Sequence, residues 1–291
     1  MLMYGNGDVY LELRLGLIGN AISKSRAPSL HIFLGKRYGY EVSYELFDQS
    51  RDDPNACVKQ INQLRQEQYH GCNVTHPFKQ TALSSVDRLE VSGALVGATN
   101  TIRFGENVVA TNSDYSGFIR AIKANLPNQD FGSSLLLGAG GVGRAVAYAL
   151  RSFSEGLVNI YDPSAERAMA LANELQQKGF NAVAIHYSEL AHVSQSVEGI
   201  LNCSPIGHYQ SPGMPIDASH IGNQKWAFDA VYTPLDTSFL RTCRQANLSV
   251  VNGFELFFYQ GLESFEFWTG QLIDEHDVKD AFFKESGIDL S

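Results

Sequence analysis

Basic runs are missing from this chain, and so is any apolar run long enough to cross a bilayer. With 22 Lys and Arg against 31 Asp and Glu, the formal net charge is −9. That balance speaks against nucleic-acid or anionic-membrane partners. Cysteine is scarce: Cys57, Cys72, Cys203 and Cys243 stand far apart, with no CxxC pair and no histidine pair nearby. A disulfide framework and a metal site are therefore not expected, and reduced thiols in the cytoplasm are. Acidic residues interrupt the opening MLMYGNGDVYLELR early, unlike a secretory leader. There is no fixed-period repeat and no low-complexity linker.

What is present is globular: 44% hydrophobic and 18% charged over 291 residues, enough for one large domain or two ordinary ones. LRLGLIG (13–19) reads as a strand, and APSLHIFLGKRYG as a helix with Pro28 in its first turn and Gly39 past its end. VSYELF (42–47), PNACVKQINQLRQ (54–66) and GCNVT continue the order as strand, helix and strand, which predicts a mostly parallel sheet. ATNTIRF and NVVATNS, parted by Gly105 and Glu106, predict a hairpin. A second α/β pattern begins near residue 115, with strands at SSLLLG (133–138), GLVNIYD (156–162), NAVAIH, GILNCS and KWAFDAVY. The stretch GFELFFYQGLESFEFWTG returns to helix.

Within LLLGAGGVGRAVAYAL, Gly138, Gly140 and Gly143 take the G-x-G-x-x-G spacing. An apolar strand precedes them and an alanine-rich helix follows, the context in which backbone can approach a pyrophosphate at a helix N-terminus. Ala139, Gly141 and Val142 complete that loop. The next strand ends in Asp162, placed to hydrogen-bond the adenosine ribose. A 2′-phosphate at about 4 Å from that carboxylate would be repelled by several kcal/mol at an effective dielectric of about 20. The following PSAERA offers Arg167 but no arginine directly after Asp162, so NAD is expected over NADP.

Eight segments, LGLIGNAISKSRAPSLH, NVTHPFKQ, GATNTI, TNSDYSGF, LGAGGVGRAVAYAL, LNCSPIGH, DAVYTPLDT and GFELFFYQ, come in the order of the shikimate dehydrogenase family. The chain resembles that family from about residue 13 to about residue 270, and most its NAD-dependent quinate/shikimate dehydrogenase branch. The resemblance implies reversible oxidation of a ring hydroxyl of quinate or shikimate, in quinate catabolism or in the chorismate pathway of aromatic amino acid biosynthesis. It also implies an α/β fold of two domains with the active site in the cleft between them. The substrate domain would be 1–114 completed by helices in 253–291, and the Rossmann domain 115–252. Residue by residue, Lys79 and Asp114 fall on the family's catalytic pair. Ser25, Thr75, Asn100, Tyr232 and Gln260 fall on its substrate contacts; Asn202, Val231 and Gly253 lie where its members meet the cofactor. Members that use NADP carry Asn-Arg after the second Rossmann strand, and YDPS departs from that.

Oxidising an alcohol with NAD requires a group that exchanges the hydroxyl proton. Lys79 and Asp114 suit the task, against the blander reading of a simple ion pair; no Cys–His pair, metal cluster or S-Y-x-x-x-K arrangement competes. Neutral Asn100, Thr75 and Gln260 suit ring hydroxyls, while Ser25 and Tyr232 suit a carboxylate. His31 reads as a structural helix residue and His76 as part of a turn. Ala27 stands where the family usually has a second hydroxyl, which removes one hydrogen bond and opens space beside the ring carbon that bears quinate's extra hydroxyl; Ser23 offers a substitute hydroxyl. Alternatives are a dehydrogenase of a related cyclic hydroxy acid such as aminoshikimate, and a non-catalytic NAD- or quinate-sensing homologue. The methylenetetrahydrofolate dehydrogenase kind fits the fold but not SKSRAP or TNSDYSGF. A monomer or homodimer is expected.

Overall fold

A computed structural model describes residues 2–3 and 9–286. Met1, residues 4–8 and residues 287–291, which belong to the expected substrate domain, lie outside the described residues. The chain forms two compact units, one of residues 1–113 with 260–291 and the other of residues 114–259.

The first unit is built on one sheet. Its strands are β1 (Leu2–Met3), β2 (Val9–Gly19), β3 (Tyr40–Asp48), β4 (Gly71–Val74), β5 (Arg88–Leu89), β6 (Thr101–Arg103) and β7 (Val109–Thr111). The sheet runs β1-β2-β4-β6-β7-β5, with β3 also paired to β2. β2 runs parallel to β3 and β4 through the crossover helices α1 (Ala27–Tyr38) and α2 (Ala56–Gln66). β6 and β7 form the expected antiparallel hairpin, with Thr101 opposite Thr111. The sheet is therefore mixed rather than wholly parallel.

α2 buries Cys57, Ile61 and Leu64, the i, i+4, i+7 stripe of one helical face. They join Ile18, Cys72, Val74 and Ile102 in a core under the sheet. α1 carries a proline at its start and ends on Gly39 at φ 78°, the left-handed turn that glycine takes without strain. The short β5 and α3 (Val91–Val96) follow the loop after β4. They escaped sequence reading because neither is long enough to show a period. α10 (Glu275–Ser286) also belongs here, its Phe282 packed edge-on to Phe33 of α1 at 5.3 Å.

The second unit is a six-stranded, all-parallel sheet. It comprises β8 (Ser134–Leu137), β9 (Val158–Tyr161), β10 (Ala182–Ala184), β11 (Gly199–Asn202), β12 (Trp226–Asp229) and β13 (Ser249–Val251). The order β10-β9-β8-β11-β12-β13 is that of a doubly wound dinucleotide fold, with its topological switch between β8 and β11. β8, β11 and β12 are buried along their whole length, as strands covered on both faces must be. Helices α4 (Ser113–Asn125), α5 (Gly141–Leu150), α6 (Ala165–Gln177), α7 (Leu190–Ser194) and α8 (Ser238–Gln245) complete it with the first part of α9 (Gly253–Thr269). The sequence predicts no element between KWAFDAVY and GFELFFYQ, where the structure has α8 and β13. α8 buries Phe239, Leu240 and Cys243, and the hydroxyl of Thr237 caps it by accepting from the Leu240 N–H at 3.2 Å.

Candidate active site

In the first unit, strand direction decides where the chemistry-bearing residues go. β2, β4 and β7 point the same way and β6 points back. The loops after β2, β4 and β7 and the residues before β6 therefore share one edge of the sheet. Ser25 and Ala27 follow β2, Thr75 and Lys79 follow β4, Asn100 immediately precedes β6, and Ser113 follows β7.

Backbone bonds tie these loops together. The Asn20 N–H donates to the His76 carbonyl at 3.0 Å, the Thr75 N–H to Ile18 at 2.9 Å, and the Thr99 N–H to the Lys79 carbonyl at 2.8 Å. The Asp48 carboxylate accepts from the Ala21 N–H at 2.8 Å and steadies the loop that carries Ser25. Ser25 Oγ accepts from the Ala27 N–H at 3.3 Å, and the Ala27 methyl is buried in the first turn of α1. Lys79 is only 8% exposed, unusual for an amine.

Behind this edge lies a buried polar network that sequence reading missed. Asn73 Nδ2 donates to the Asn100 carbonyl at 3.1 Å, to Thr101 Oγ1 at 3.0 Å and to Ser264 Oγ at 3.2 Å. Its Oδ1 accepts from the Tyr44 hydroxyl at 2.7 Å. Asn100 Oδ1 accepts from the Ser113 N–H at 2.7 Å, and Ser113 Oγ sits 3.0 Å from Ser264 Oγ and 3.5 Å from Gln260 Oε1. Asn100 and Gln260, two expected substrate contacts, thus meet through Ser113. The partners lie up to 191 residues apart in the chain, so no local pattern could reveal them.

In the second unit the glycine loop turns out of β8 into α5. A methyl on Gly143 would stand 1.9 Å from the Gly138 carbonyl oxygen, whereas one on Gly140 would meet nothing within 4 Å. Gly143 is thus needed for helix–strand packing, and Gly140 leaves open space where a ligand would approach. Asp162, at the end of β9, comes to the same loop: its Oδ2 accepts from the Ala139 N–H and its Oδ1 from the Ser164 N–H, each at 2.9 Å. Arg167 lies exposed in the first turn of α6. Gly141, Val142 and Gly143 begin α5, where a helix leaves N–H groups without intrahelical acceptors. These residues fit a dinucleotide in kind: open room beside Gly140, the N–H groups of the first turn of α5 and a carboxylate at the end of β9.

Across the switch point, Asn202 ends β11 and is wholly buried. Its Oδ1 accepts from the N–H and hydroxyl of Ser204, at 3.1 and 2.7 Å. Burial pushes the Cys203 thiol up, and the Asp229 and Asp114 carboxyls add to the shift. Asp114, the first residue of this unit, therefore lies within electrostatic reach of the end of β11. Tyr232 stacks on Phe257 with ring centroids 5.0 Å apart. Lys79 and Asp114 belong to different units.

The model of the shikimate dehydrogenase substrate binding domain matches residues 17–102. A quinate/shikimate dehydrogenase (NAD(+)) from Corynebacterium efficiens is 30% identical over 278 residues, which cover 93% of this chain and 98% of the relative. A shikimate dehydrogenase (NADP(+)) from Streptomyces avermitilis is 34% identical over 269 residues, covering 91% of each chain. The chain belongs to the shikimate dehydrogenase family. Among solved structures, a quinate dehydrogenase from Corynebacterium glutamicum in complex with NAD aligns with a TM-score of 0.86 at 29% identity, over 94% of this chain and 100% of that one. A shikimate 5-dehydrogenase from Thermus thermophilus in complex with NADP(H) and shikimate aligns at 0.81 and 32%, over 94% and 99%. Family membership carries the coarse activity, that of a pyridine-nucleotide-linked dehydrogenase. The relatives divide between the two nucleotides.

Proposed function

We propose that the protein oxidises the ring hydroxyl of quinate, and of shikimate, reversibly with NAD, and that Lys79 and Asp114 form its acid/base pair. The observation that carries this reading is the gathering of Ser25, Thr75, Lys79, Asn100 and Gln260 about one edge of the first sheet. A buried lysine shares that edge with neutral hydroxyl and amide side chains, a match for a polyol acid. When bound, NAD accepts the hydride. Lys79 Nζ exchanges the hydroxyl proton as the ketone forms, and Asp114 orients the amine. Asn100, Thr75 and Gln260 bind ring hydroxyls, and Ser25 and Tyr232 bind the carboxylate. Ala27 brings no hydroxyl to the substrate's carboxylate end, which favours the more heavily hydroxylated quinate ring.

NAD is favoured over NADP because Asp162 presents its carboxylate on the loop that Gly140 leaves open. A 2′-phosphate there would face an anion with no arginine directly after it in the chain. The deciding experiment follows nicotinamide reduction with quinate and shikimate in parallel, each with NAD and with NADP. The expected outcome is highest kcat/KM with quinate and NAD. A preference for NADP would overturn the cofactor assignment, and binding of NAD without turnover of either acid would favour a sensing role.

A further inference from the structure

Asp229 closes β12, and its side chain is wholly buried at the end of the otherwise apolar run WAFD. Its Oδ1 accepts from Asn202 Nδ2 at 2.9 Å and from the Val231 N–H at 3.0 Å, and its Oδ2 accepts from the Thr237 hydroxyl at 2.6 Å. Gly253 seats against the same turn, since a methyl on it would stand 2.5 Å from the Ala230 and Val231 carbonyl oxygens. Asn202 and Val231, which the resemblance assigns to the cofactor, thus bond to one carboxyl that nothing so far has given a role, and Gly253, assigned with them, packs against the turn that follows it.

Scaffolding alone does not require a charge at this point. An asparagine would accept the same two bonds at Oδ1 and donate to Thr237, without the cost of burying an anion. In a doubly wound sheet the half containing β8 to β10 takes the adenosine, and the half containing β11 to β13 takes the rest of the dinucleotide. We propose that Asp229 is a positioning residue for the nicotinamide half of the cofactor. Its ionised carboxylate draws Asn202 and the Val231 backbone into the conformation that receives NAD. The inference rests on the NAD-linked reading above.

Charge-assisted bonds are stronger than neutral ones, so the hold loosens when the carboxyl is protonated. Burial lifts Asp229 to about 6. The ionisable groups around it are the Cys203 thiol, pushed up by burial, and the Cys243 thiol, pushed to about 12, with Arg244 acting on Cys243 and Asp114 on Cys203. Both thiols stay neutral through the range in which Asp229 changes charge.

The test is calorimetric titration of the full chain with NAD across pH, for wild type and Asp229→Asn. Wild-type affinity is expected to fall several-fold as pH drops through about 6. Asp229→Asn is expected to bind NAD about tenfold more weakly at about pH 7.5 and to lose that pH dependence, with KM for the ring substrate within about twofold of wild type. A variant that binds NAD as wild type does, with the same pH profile, overturns the proposal. Should the variant fail to fold, the wild-type titration decides, because a flat profile from about pH 5 to about pH 7.5 overturns it equally. Wild-type protein that binds no dinucleotide at any pH would instead overturn the reading beneath.

Discussion

Lys79 carries the sharpest expectation of any single side chain. If its amine exchanges the substrate proton, Lys79→Ala should lower kcat by roughly 10²–10⁴. KM should move far less, because the loss falls in the transition state. Parallel initial-rate curves for the two proteins check this, and a variant within a few-fold of wild-type kcat removes Lys79 from the chemistry. His31 is a different case. It is buried between Tyr44, stacked at 5.1 Å, and Trp268, edge-on at 5.0 Å, and neither ring nitrogen has a hydrogen-bond partner. Burial takes it down to about 3, opposed in smaller part by Asn73. The folded state thus holds the ring neutral, while the unfolded chain takes up a proton below about pH 6.5. Above that pH His31 contributes nothing to the pH dependence; as pH falls toward 3, stability drops by up to about 1.4 kcal/mol per pH unit. His31→Phe keeps a ring in place and should flatten the acid limb of the unfolding free energy, measured by denaturant titration between about pH 6 and about pH 4.

At the scale of elements, the glycine loop separates binding from packing. Gly143→Ala forces a methyl into the Gly138 carbonyl and should lower both stability and NAD affinity. Gly140→Ala meets no neighbour, at φ −75° where any residue is at ease. It should leave the melting temperature within about 2 °C of wild type while weakening NAD binding, because the methyl occupies the approach to the loop. Thermal melts with and without NAD distinguish the two variants. This loop was legible in the sequence because its glycines, the preceding strand and Asp162 stand close along the chain. The network of Asn73, Thr101, Ser113 and Ser264 was not, since its members come together only when four separate segments fold. Asp229 was likewise hidden. Val231 and Thr237 stand near it along the chain, but Asn202 reaches it only through the pairing of β11 with β12. β13 and α8 escaped because three residues show no alternation and eight barely complete two turns.

At the scale of the whole molecule, two α/β assemblies and most of their strands along the chain were legible in the sequence, while the order of those strands within each sheet was not. The mixed character of the first sheet follows from the hairpin that was expected within it. Among the described residues no helix is long and apolar enough to cross a membrane, and the four cysteines are free, three of them buried. Residues 114–259 form one uninterrupted stretch, whereas the other unit needs residues from both sides of it. During synthesis on the ribosome the inserted stretch is therefore complete while its host still lacks α10 and the second part of α9. The nucleotide-binding fold can mature first, and the sheet of the first unit must wait for α10 and the second part of α9 before it is complete.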